Sequence, residues 1–309
     1  MAHAATDPES VQPIEKVAQV SLHVDGFPDW LAIGFGSLWV ANGRAGGVQR
    51  IDLETHAVIG LVEVRRPCAA MAVGYESIWV ASCRDRTLIR IDPRTNTAAA
   101  IIPVGVADSE ASIAAGEGGV WLVSDEKGVL TRIDPDTNAV AAQVHVRPNS
   151  YAAMAGYGAV WVTNTGKPGA DTPGSVQRIN PKTNEVVATI PVRGQPRFLA
   201  VGEGGVWVLN QSDGSVSRID PGTNEVVATI PVGVPGPGGD IDAGEGAVWV
   251  RAGTVLLSVI DPATNQVVRR FGPPQGSGAV RAGGGAVWVS AHDVNRIWRL
   301  DPRISVRGQ

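Results

Sequence analysis

The sequence predicts an all-β protein, a seven-bladed β-propeller of four-stranded antiparallel blades. A tryptophan flanked by apolar residues recurs seven times at intervals of 39 to 46 residues, and an R-I-D-P phrase recurs with the same period. No segment carries a convincing helical period. Two independent markers with one period indicate a repeat architecture, and four short strands per repeat of this length are typical of a propeller blade.

The two markers fix the position of each blade along the chain. The tryptophans of the predicted second strands are Trp39, Trp79, Trp121, Trp161, Trp207, Trp249 and Trp288. The residues that end the predicted third strands are Asp52, Asp92, Asp134, Asn180, Asp220, Asp261 and Asp301. A large apolar ring at the same place in every blade predicts packing between blades rather than a cage for a ligand.

The fifth repeat shows how each blade divides into four strands. Its predicted strands are "RFLAVG" (197–202), "VWVLN" (206–210), "SVSRID" (215–220) and "VVATIPV" (226–232). Alternation with period two and many β-branched residues favour strands. The "D-P-x-T-N" phrase supplies a proline with preset φ and an asparagine that tolerates the left-handed region, so it predicts a tight turn.

The two ends of the chain are complementary. The last repeat stops after its third strand, "RIWRLDP" (296–302), and the chain begins with an unpaired strand, "KVAQVSLHV" (16–24). The N-terminal strand is therefore predicted to complete the last blade and close the ring, which removes an exposed edge. The predicted domain is 16–302, between a disordered or loosely attached tail at 1–15 and a C-terminal tail at 303–309.

Composition and charge exclude several classes of partner. The net charge is −4 and the basic residues are scattered, so no basic stripe exists to follow a nucleic acid backbone. No apolar run is long enough for a membrane span. The N-terminus lacks an apolar core, although "AHA" resembles the small-residue end of a removed signal peptide. A closed ring predicts a monomer.

The predicted site lies at the mouth of the central channel, where the connections between blades and the loops between second and third strands share one face. Aromatic and charged residues stand out there among alanines and glycines, as expected for a ligand pocket. The predicted ligand-binding residues are Asp29, Trp30, Tyr151, Arg197, Phe198, Asp240 and Asp242. The neighbouring loops add Arg44, Arg84, Asp85, Glu126, Lys127, Arg251, His292 and Asp293.

A structural interpretation of these charges stands beside the functional one. Asp242 and Arg281 occupy the same repeat position in blades six and seven, so they can form a salt bridge between blades. The insertion at 164–175, with Lys167 and Asp171, is either a lid over the pocket or a tolerated surface insertion.

Catalytic motifs are absent, and only weak candidates remain. The sequence has no Walker loop, zinc-ligand spacing, G-x-S-x-G or H-E-x-x-H. His292 is the one histidine predicted on the mouth face, where it can act as a general base or be a solvated polar residue. Glu110 and Asp240 are the other catalytic candidates. The same two carboxylates are the candidate ligands for a divalent cation, Mg²⁺ or Ca²⁺.

The two cysteines are predicted to face each other in blade two. If the hairpin turns between Tyr75 and Glu76, Cys68 lies directly opposite Cys83, within disulfide reach. A disulfide here predicts an oxidising compartment, that is, an extracytoplasmic or secreted protein. Without the disulfide, the prediction is a cytoplasmic protein. A register slip of one residue leaves two separate thiols instead.

Across residues 17–302 the phrase "G-x-G-A-V-W-V…S-V-x-R-I-D-P-x-T-N-x-V-V-A-T-I-P-V" resembles the YVTN-type and virginiamycin B (streptogramin) lyase-like propellers. The resemblance implies a seven-bladed ring. Streptogramin lyases cleave an ester C–O bond by elimination, with a metal ion and with His and Glu residues on the inner strands, so the resemblance also implies that chemistry. This sequence has no inner-strand histidine, so no catalytic residue is carried over.

Two functions follow as hypotheses. The first is a small-molecule-binding propeller, and, if it is an enzyme, a C–O lyase or hydrolase acting on a small ester, lactone or related organic substrate. The alternative is a non-catalytic scaffold that presents the same face to a protein or cell-envelope partner.

Overall fold

Seven sheets form the blades of the propeller, as the sequence predicted. The structure is a computed structural model that describes residues 10–68, 70–107, 110, 113–125, 127–166, 174–233, 238–252, 255–273 and 277–305. In blades one to five four antiparallel strands follow one another in sequence from the channel outward, and blades six and seven each gain an outer strand from the N-terminal segment.

The strands have the following bounds. The N-terminal strands are β1 (Val11–Pro13) and β2 (Ala18–His23), separated by a 3-10 turn at Ile14–Lys16. Blades one and two contain β3 (Pro28–Gly34), β4 (Ser37–Asn42), β5 (Gly47–Asp52), β6 (Val58–Glu63), β7 (Ala72–Gly74), β8 (Ser77–Ser82), β9 (Thr87–Asp92) and β10 (Thr97–Pro103). Blades three and four contain β11 (Ile113–Gly116), β12 (Gly119–Asp125), β13 (Val129–Asp134), β14 (Ala139–His145), β15 (Ser150–Gly156), β16 (Ala159–Asn164), β17 (Ser175–Asn180) and β18 (Glu185–Pro191). Blades five to seven contain β19 (Pro196–Gly202), β20 (Gly205–Asn210), β21 (Ser215–Asp220), β22 (Glu225–Pro231), β23 (Asp240–Gly244), β24 (Ala247–Arg251), β25 (Leu257–Asp261), β26 (Gln266–Gly272), β27 (Val280–Gly283), β28 (Ala286–Ala291) and β29 (Arg296–Leu300). Two further 3-10 turns span His292–Val294 and Pro302–Ser305.

Ring closure by the N-terminal strand is confirmed. Strand β2 pairs antiparallel with β29, from Ala18 opposite Leu300 to His23 opposite Arg296, and completes blade seven. The segment just before it was expected to be a loose tail. Instead, β1 pairs in parallel with β26 as a fifth strand of blade six, and Ile14 is buried beneath it. The pattern of residues 11–13 does not reveal this, because three residues are too few to show alternation.

The recurring tryptophans pack between blades and are fully buried. In blades one to five an arginine on the third strand covers the tryptophan and reaches the next blade. Arg218 lies 4.8 Å from the Trp207 ring, and its Nη1 donates to the Pro262 carbonyl at 2.6 Å and to Asn265 Oδ1 at 2.8 Å. The equivalent arginines are Arg50, Arg90, Arg132 and Arg178. The R-I-D-P phrase is therefore repeated because it clamps one blade to the next.

The turn after a third strand is held by the residue that ends the strand, an aspartate in every blade except blade four, where it is Asn180. Asp220 Oδ1 accepts the backbone N–H of Gly222 at 2.7 Å and of Thr223 at 2.9 Å, and Asn224 takes φ +62°. Hydrogen bonds to the ionised carboxylate, chiefly that of the Thr223 N–H, lower the pKa of Asp220. These turns lie at the end of the ring opposite the channel mouth, which we call the turn end.

No helix among the described residues has the length and apolar character needed to cross a membrane.

Candidate functional site

Three aromatic residues that the sequence predicted to bind a ligand meet across the central channel near its mouth. Trp30 of blade one and Phe198 of blade five have ring centroids 5.5 Å apart, and Tyr151 of blade four meets Phe198 edge to face at 5.5 Å. Blades one and five are not neighbours, so this contact can form only across the channel. These three rings, which we call the aromatic layer, are all buried.

Charged groups surround the hydroxyl of Tyr151 on the mouth side. The Arg197 guanidinium lies 4.3 Å from the Tyr151 ring centroid and donates to the Tyr151 Oη. It also donates to Gln211 Oε1 at 3.1 Å and lies 3.9 Å from Glu110 Oε2. Burial raises the pKa of Tyr151 to about 12, against the opposing charge of Arg197, so the phenol stays protonated. The structure thus brings Tyr151, Arg197 and Glu110 together.

Asp29 has the most perturbed acidity at the mouth. Burial, followed by the negative charges of Glu110 and Asp240, raises the pKa of Asp29 to about 7. The Arg251 guanidinium opposes this shift. Arg251 is itself buried, donates to the Leu256 carbonyl at 2.8 Å, and has a pKa lowered to about 10 by burial. Asp29 therefore exchanges protons near neutral pH.

Asp240 is held in an ion pair between blades. Arg281 Nη1 lies 2.5 Å from Asp240 Oδ2, which also accepts the Val280 N–H at 3.0 Å. Burial raises the pKa of Asp240 to about 6, although Arg281 opposes the shift. The sequence suggested an ion pair of Arg281 with Asp242. The inter-blade pair exists, but its partner is Asp240, two residues earlier on β23.

Asp242 lies away from the mouth. Its carboxylate accepts the backbone N–H of Ala282 at 2.8 Å and of Ala243 at 3.0 Å. It lines a separate cavity on the turn side of the aromatic layer. Asp242 therefore lies on the other side of the aromatic layer from Asp29, while its charge still acts on Asp240 and Arg281.

His292 belongs to the rim of the mouth. Its ring stacks on Phe27 with centroids 3.9 Å apart, and its Nδ1 pairs with Asp293. Burial lowers the pKa of His292, with the Asp293 charge opposing the shift. The Phe27 ring also lies beside the Arg44 guanidinium, whose Cζ is 5.7 Å from the ring centroid. Sequence reasoning missed Phe27, although it is one of only four phenylalanines and directly precedes an inner strand.

No group of three or more His, Cys, Asp or Glu side chains in the described part of the chain is arranged to hold a metal ion. The proposed pair Asp240 and Glu110 therefore lacks a third protein ligand among these residues, and Asp240 is already engaged by Arg281. Among the described residues these two carboxylates therefore do not make a complete Mg²⁺ or Ca²⁺ site, and the site expected from the sequence stays a prediction. Lys167 and Asp171 of the insertion, and Glu126, lie outside the described residues.

Cys68 and Cys83 are joined by a disulfide at the mouth end of blade two, with Cα atoms 5.8 Å apart. The pairing of β7 with β8 follows the predicted hairpin register, with Ala72 opposite Trp79. Nearer the mouth the register shifts, because Pro67 lies opposite Ser82. The two cysteines are thus diagonal neighbours rather than directly opposite.

No protein-family model and no curated protein sequence matches this chain. Solved structures of low sequence identity share its fold. A virginiamycin B lyase from Staphylococcus aureus is 14% identical, with a TM-score of 0.74 over 91% of this chain and 98% of that one. A streptogramin B lyase is 17% identical, with a TM-score of 0.72 over 91% and 95%. The Pan2 WD40 domain of Neurospora crassa is 11% identical, with a TM-score of 0.67 over 91% of each chain.

Proposed function

We propose that the channel mouth binds a small organic ester or lactone and that Asp29 acts there as the general acid–base in cleavage of a C–O bond. The observation that carries this proposal is the placement of Asp29. Its carboxyl group is sheltered beside the aromatic layer and interacts with charges from blades three, six and seven. A group with a pKa near the working pH is the most effective proton-transfer catalyst.

The surrounding residues suit this chemistry. The aromatic layer offers a floor against which an apolar substrate can pack. Arg197 presents a guanidinium that is partly open to solvent, with a side chain 28% exposed, above that floor. A cation in this position can stabilise the negative charge that develops on a carboxyl or acyl oxygen when the C–O bond breaks. Elimination and hydrolysis both need these two roles.

The fold shared with streptogramin lyases supports a pocket at this place but identifies no catalytic residue in this chain. No step of the proposed reaction uses a metal ion, because the described residues hold no group of three or more His, Cys, Asp or Glu side chains placed to bind one. The disulfide between Cys68 and Cys83 supports an oxidising, extracytoplasmic compartment.

The test is a turnover screen of p-nitrophenyl esters and aromatic lactones, with elimination and hydrolysis products separated by chromatography. We expect kcat/KM to follow a single titration near pH 7, and Asp29→Asn to lose about 100-fold or more of the activity. Asp25→Asn is the matched control, because its carboxylate precedes the same strand but its side chain is 92% exposed. Absence of turnover and of any ligand-induced thermal shift would overturn the proposal.

A second candidate function is a protein-interaction scaffold. The outer strand of blade one exposes Val58, Ile59 and Leu61 at 54%, 48% and 48% of their surfaces, an apolar strip unusual for a solvated edge. Propellers such as the BamB of Moraxella catarrhalis share this fold with a TM-score of 0.62. If this function is the right one, Ile59→Lys abolishes capture of a partner, while Asp29→Asn leaves it intact.

A further inference from the structure

A second cavity lies in the channel on the turn side of the aromatic layer. Its volume is about 290 Å³, close to the lower limit of small-molecule sites. The cavity is bounded by residues that follow Trp30 and Tyr151 along the same inner strands, such as Ala32 and Met154. It extends to Gly283 at the end of β27 and to Gly284 in the turn that follows. We call it the lower chamber.

One ring of equivalent positions explains its character. In each blade the recurring tryptophan of the second strand pairs with one residue of the inner strand, which the strand register identifies. In chain order these residues are Ala32, Ala72, Ala114, Met154, Ala200, Asp242 and Arg281. Five blades therefore supply small or apolar side chains, and the two adjacent blades six and seven supply an acid and a base.

The walls of the lower chamber are otherwise apolar. Apart from Asp242 and Arg281, every side chain that lines it is an alanine, valine, isoleucine or methionine, and the remaining lining residues are glycines. Met71 and Met154 lie among them, and methionine adapts its shape to irregular ligands. The chamber is thus an apolar box with one polar wall.

The polar wall has hydrogen-bonding capacity left over. Arg281 uses Nη1 for Asp240 and for its own Val280 carbonyl. Its Nε and Nη2 make no hydrogen bond within the described part of the chain, and its side chain is 18% exposed. The Asp242 carboxylate accepts one backbone N–H on each oxygen, and each carboxylate oxygen has a second lone pair. A donor from Arg281 and an acceptor from Asp242 therefore stand side by side.

Charge decides which head group fits this wall. An ammonium ion would meet the Arg281 guanidinium, and a carboxylate would meet Asp242 with Asp240 behind it. In an apolar chamber such like-charge contacts are poorly screened. A neutral group that offers one acceptor and one donor avoids both penalties and satisfies both side chains.

We propose that the lower chamber is a binding site for a compact molecule with a hydrocarbon body and a neutral carboxamide, urea or lactam head group. The carbonyl oxygen of the head group accepts from Arg281, and its N–H donates to Asp242. The hydrocarbon body occupies the space between the alanines and methionines. This site is separate from the one at the mouth, because the aromatic layer lies between them.

The test uses adamantane-1-carboxamide as the probe, with adamantane-1-carboxylate and 1-adamantylmethylammonium as charged counterparts of similar shape. Binding is measured by ligand-observed NMR and isothermal calorimetry. We expect the carboxamide to bind and both ions to bind at least tenfold more weakly. Equal or tighter binding of either ion would overturn the proposal, and so would no binding of the amide.

Variants locate the binding site. Ala115→Leu fills the lower chamber and should weaken the amide at least tenfold. Ala243→Leu is its matched control, since Ala243 occupies the same repeat position in blade six but does not line the chamber. Asp29→Asn should leave amide binding unchanged, which separates this proposal from the function proposed for the mouth. Circular dichroism and the Tm of each variant verify folding, and amide binding that survives Ala115→Leu in a folded protein would contradict the assignment.

Discussion

At the turn end of the blades, Asp134 and Asp220 accept backbone N–H hydrogen bonds, and these bonds lower the pKa of both carboxyls. At the mouth end, Asp29 is partly buried and Asp240 is buried, and loss of solvent around each carboxyl raises the pKa of both. The turn-end carboxylates are copies of one another that build the blades. The mouth-end carboxylates occur once each and weaken the fold when they ionise. Residues that a protein retains at a cost to its stability are candidates for function.

The largest expected effect concerns the covalent link at the mouth end. Replacing Cys68 and Cys83 with serine should lower the free energy of unfolding by about 2–4 kcal/mol, because the unfolded chain regains the freedom of the closed loop. Urea denaturation measures this change. Reductant should destabilise the wild-type protein equally and leave the double variant unaffected; a wild-type protein indifferent to reductant would contradict the prediction.

The next prediction is an increase in the free energy of unfolding, and it tests how much the ionised Asp29 destabilises the fold. Because the pKa of Asp29 is raised to about 7 from an unfolded value of 3.8, its favourable contribution is complete below pH 3.8. That contribution is lost as the pH rises to 7. A pKa shift of this size corresponds to roughly 4 kcal/mol, and partial solvent exposure of Asp29 reduces it, so Asp29→Asn should stabilise the protein at pH 8 by roughly 2 kcal/mol and have little effect at pH 3.5. Urea denaturation at both pH values measures the difference, with Asp25→Asn as the control. Destabilisation at pH 8 would refute the assignment.

A third test compares two arginines at the same repeat position. Arg218→Met removes donors to Pro262 and Asn265 of the next blade and should cost about 1–2 kcal/mol. Arg299→Met in blade seven should cost less, since Arg299 donates to the exposed side chain of Gln19 instead. Thermal unfolding of both variants gives the comparison. Equal losses would show that the clamp contributes nothing beyond the arginine stem.

The smallest effect is expected from Asp220→Asn at the turn end. The lowered pKa of Asp220 gives stability that is present above 3.8 and lost as the pH falls through the folded value. Asn180 already replaces this aspartate in blade four, where its Oδ1 accepts the Lys182 N–H at 2.9 Å. The variant should therefore be slightly less stable than the wild type at pH 7, and the difference should shrink as the pH falls below 3.8. A larger loss at the acidic pH would reverse the sign that we infer.

The sequence was most informative where the chain repeats itself. Period and strand alternation predicted the seven blades and the pairing of residues 16–24 with the last repeat. The clamp role of Arg218 could not be predicted, because it depends on which turn of the next blade comes within reach. The strand at 11–13 was missed because it has no repeat partner.

The candidate site shows the limit more clearly. Trp30, Tyr151 and Phe198 were noticed because each departs from the small residues of its repeat position. That Trp30 and Phe198 touch depends on the width of the channel, which no single repeat encodes. The register alone placed Asp242 and Arg281 opposite tryptophans, but the pairing of Arg281 with Asp240 depends on the offset between blades. Burial of Asp29, which determines its acidity, likewise comes from several blades at once.

Strand β2 lies some 280 positions from its partner β29 along the chain. Bringing such distant segments together has a high entropic cost, which falls once the intervening blades have formed and shortened the path between them. During synthesis strand β2 therefore stays unpaired until its partner β29 has left the ribosome. Until that pairing forms, the outer edge of blade seven stays open to strands of other chains.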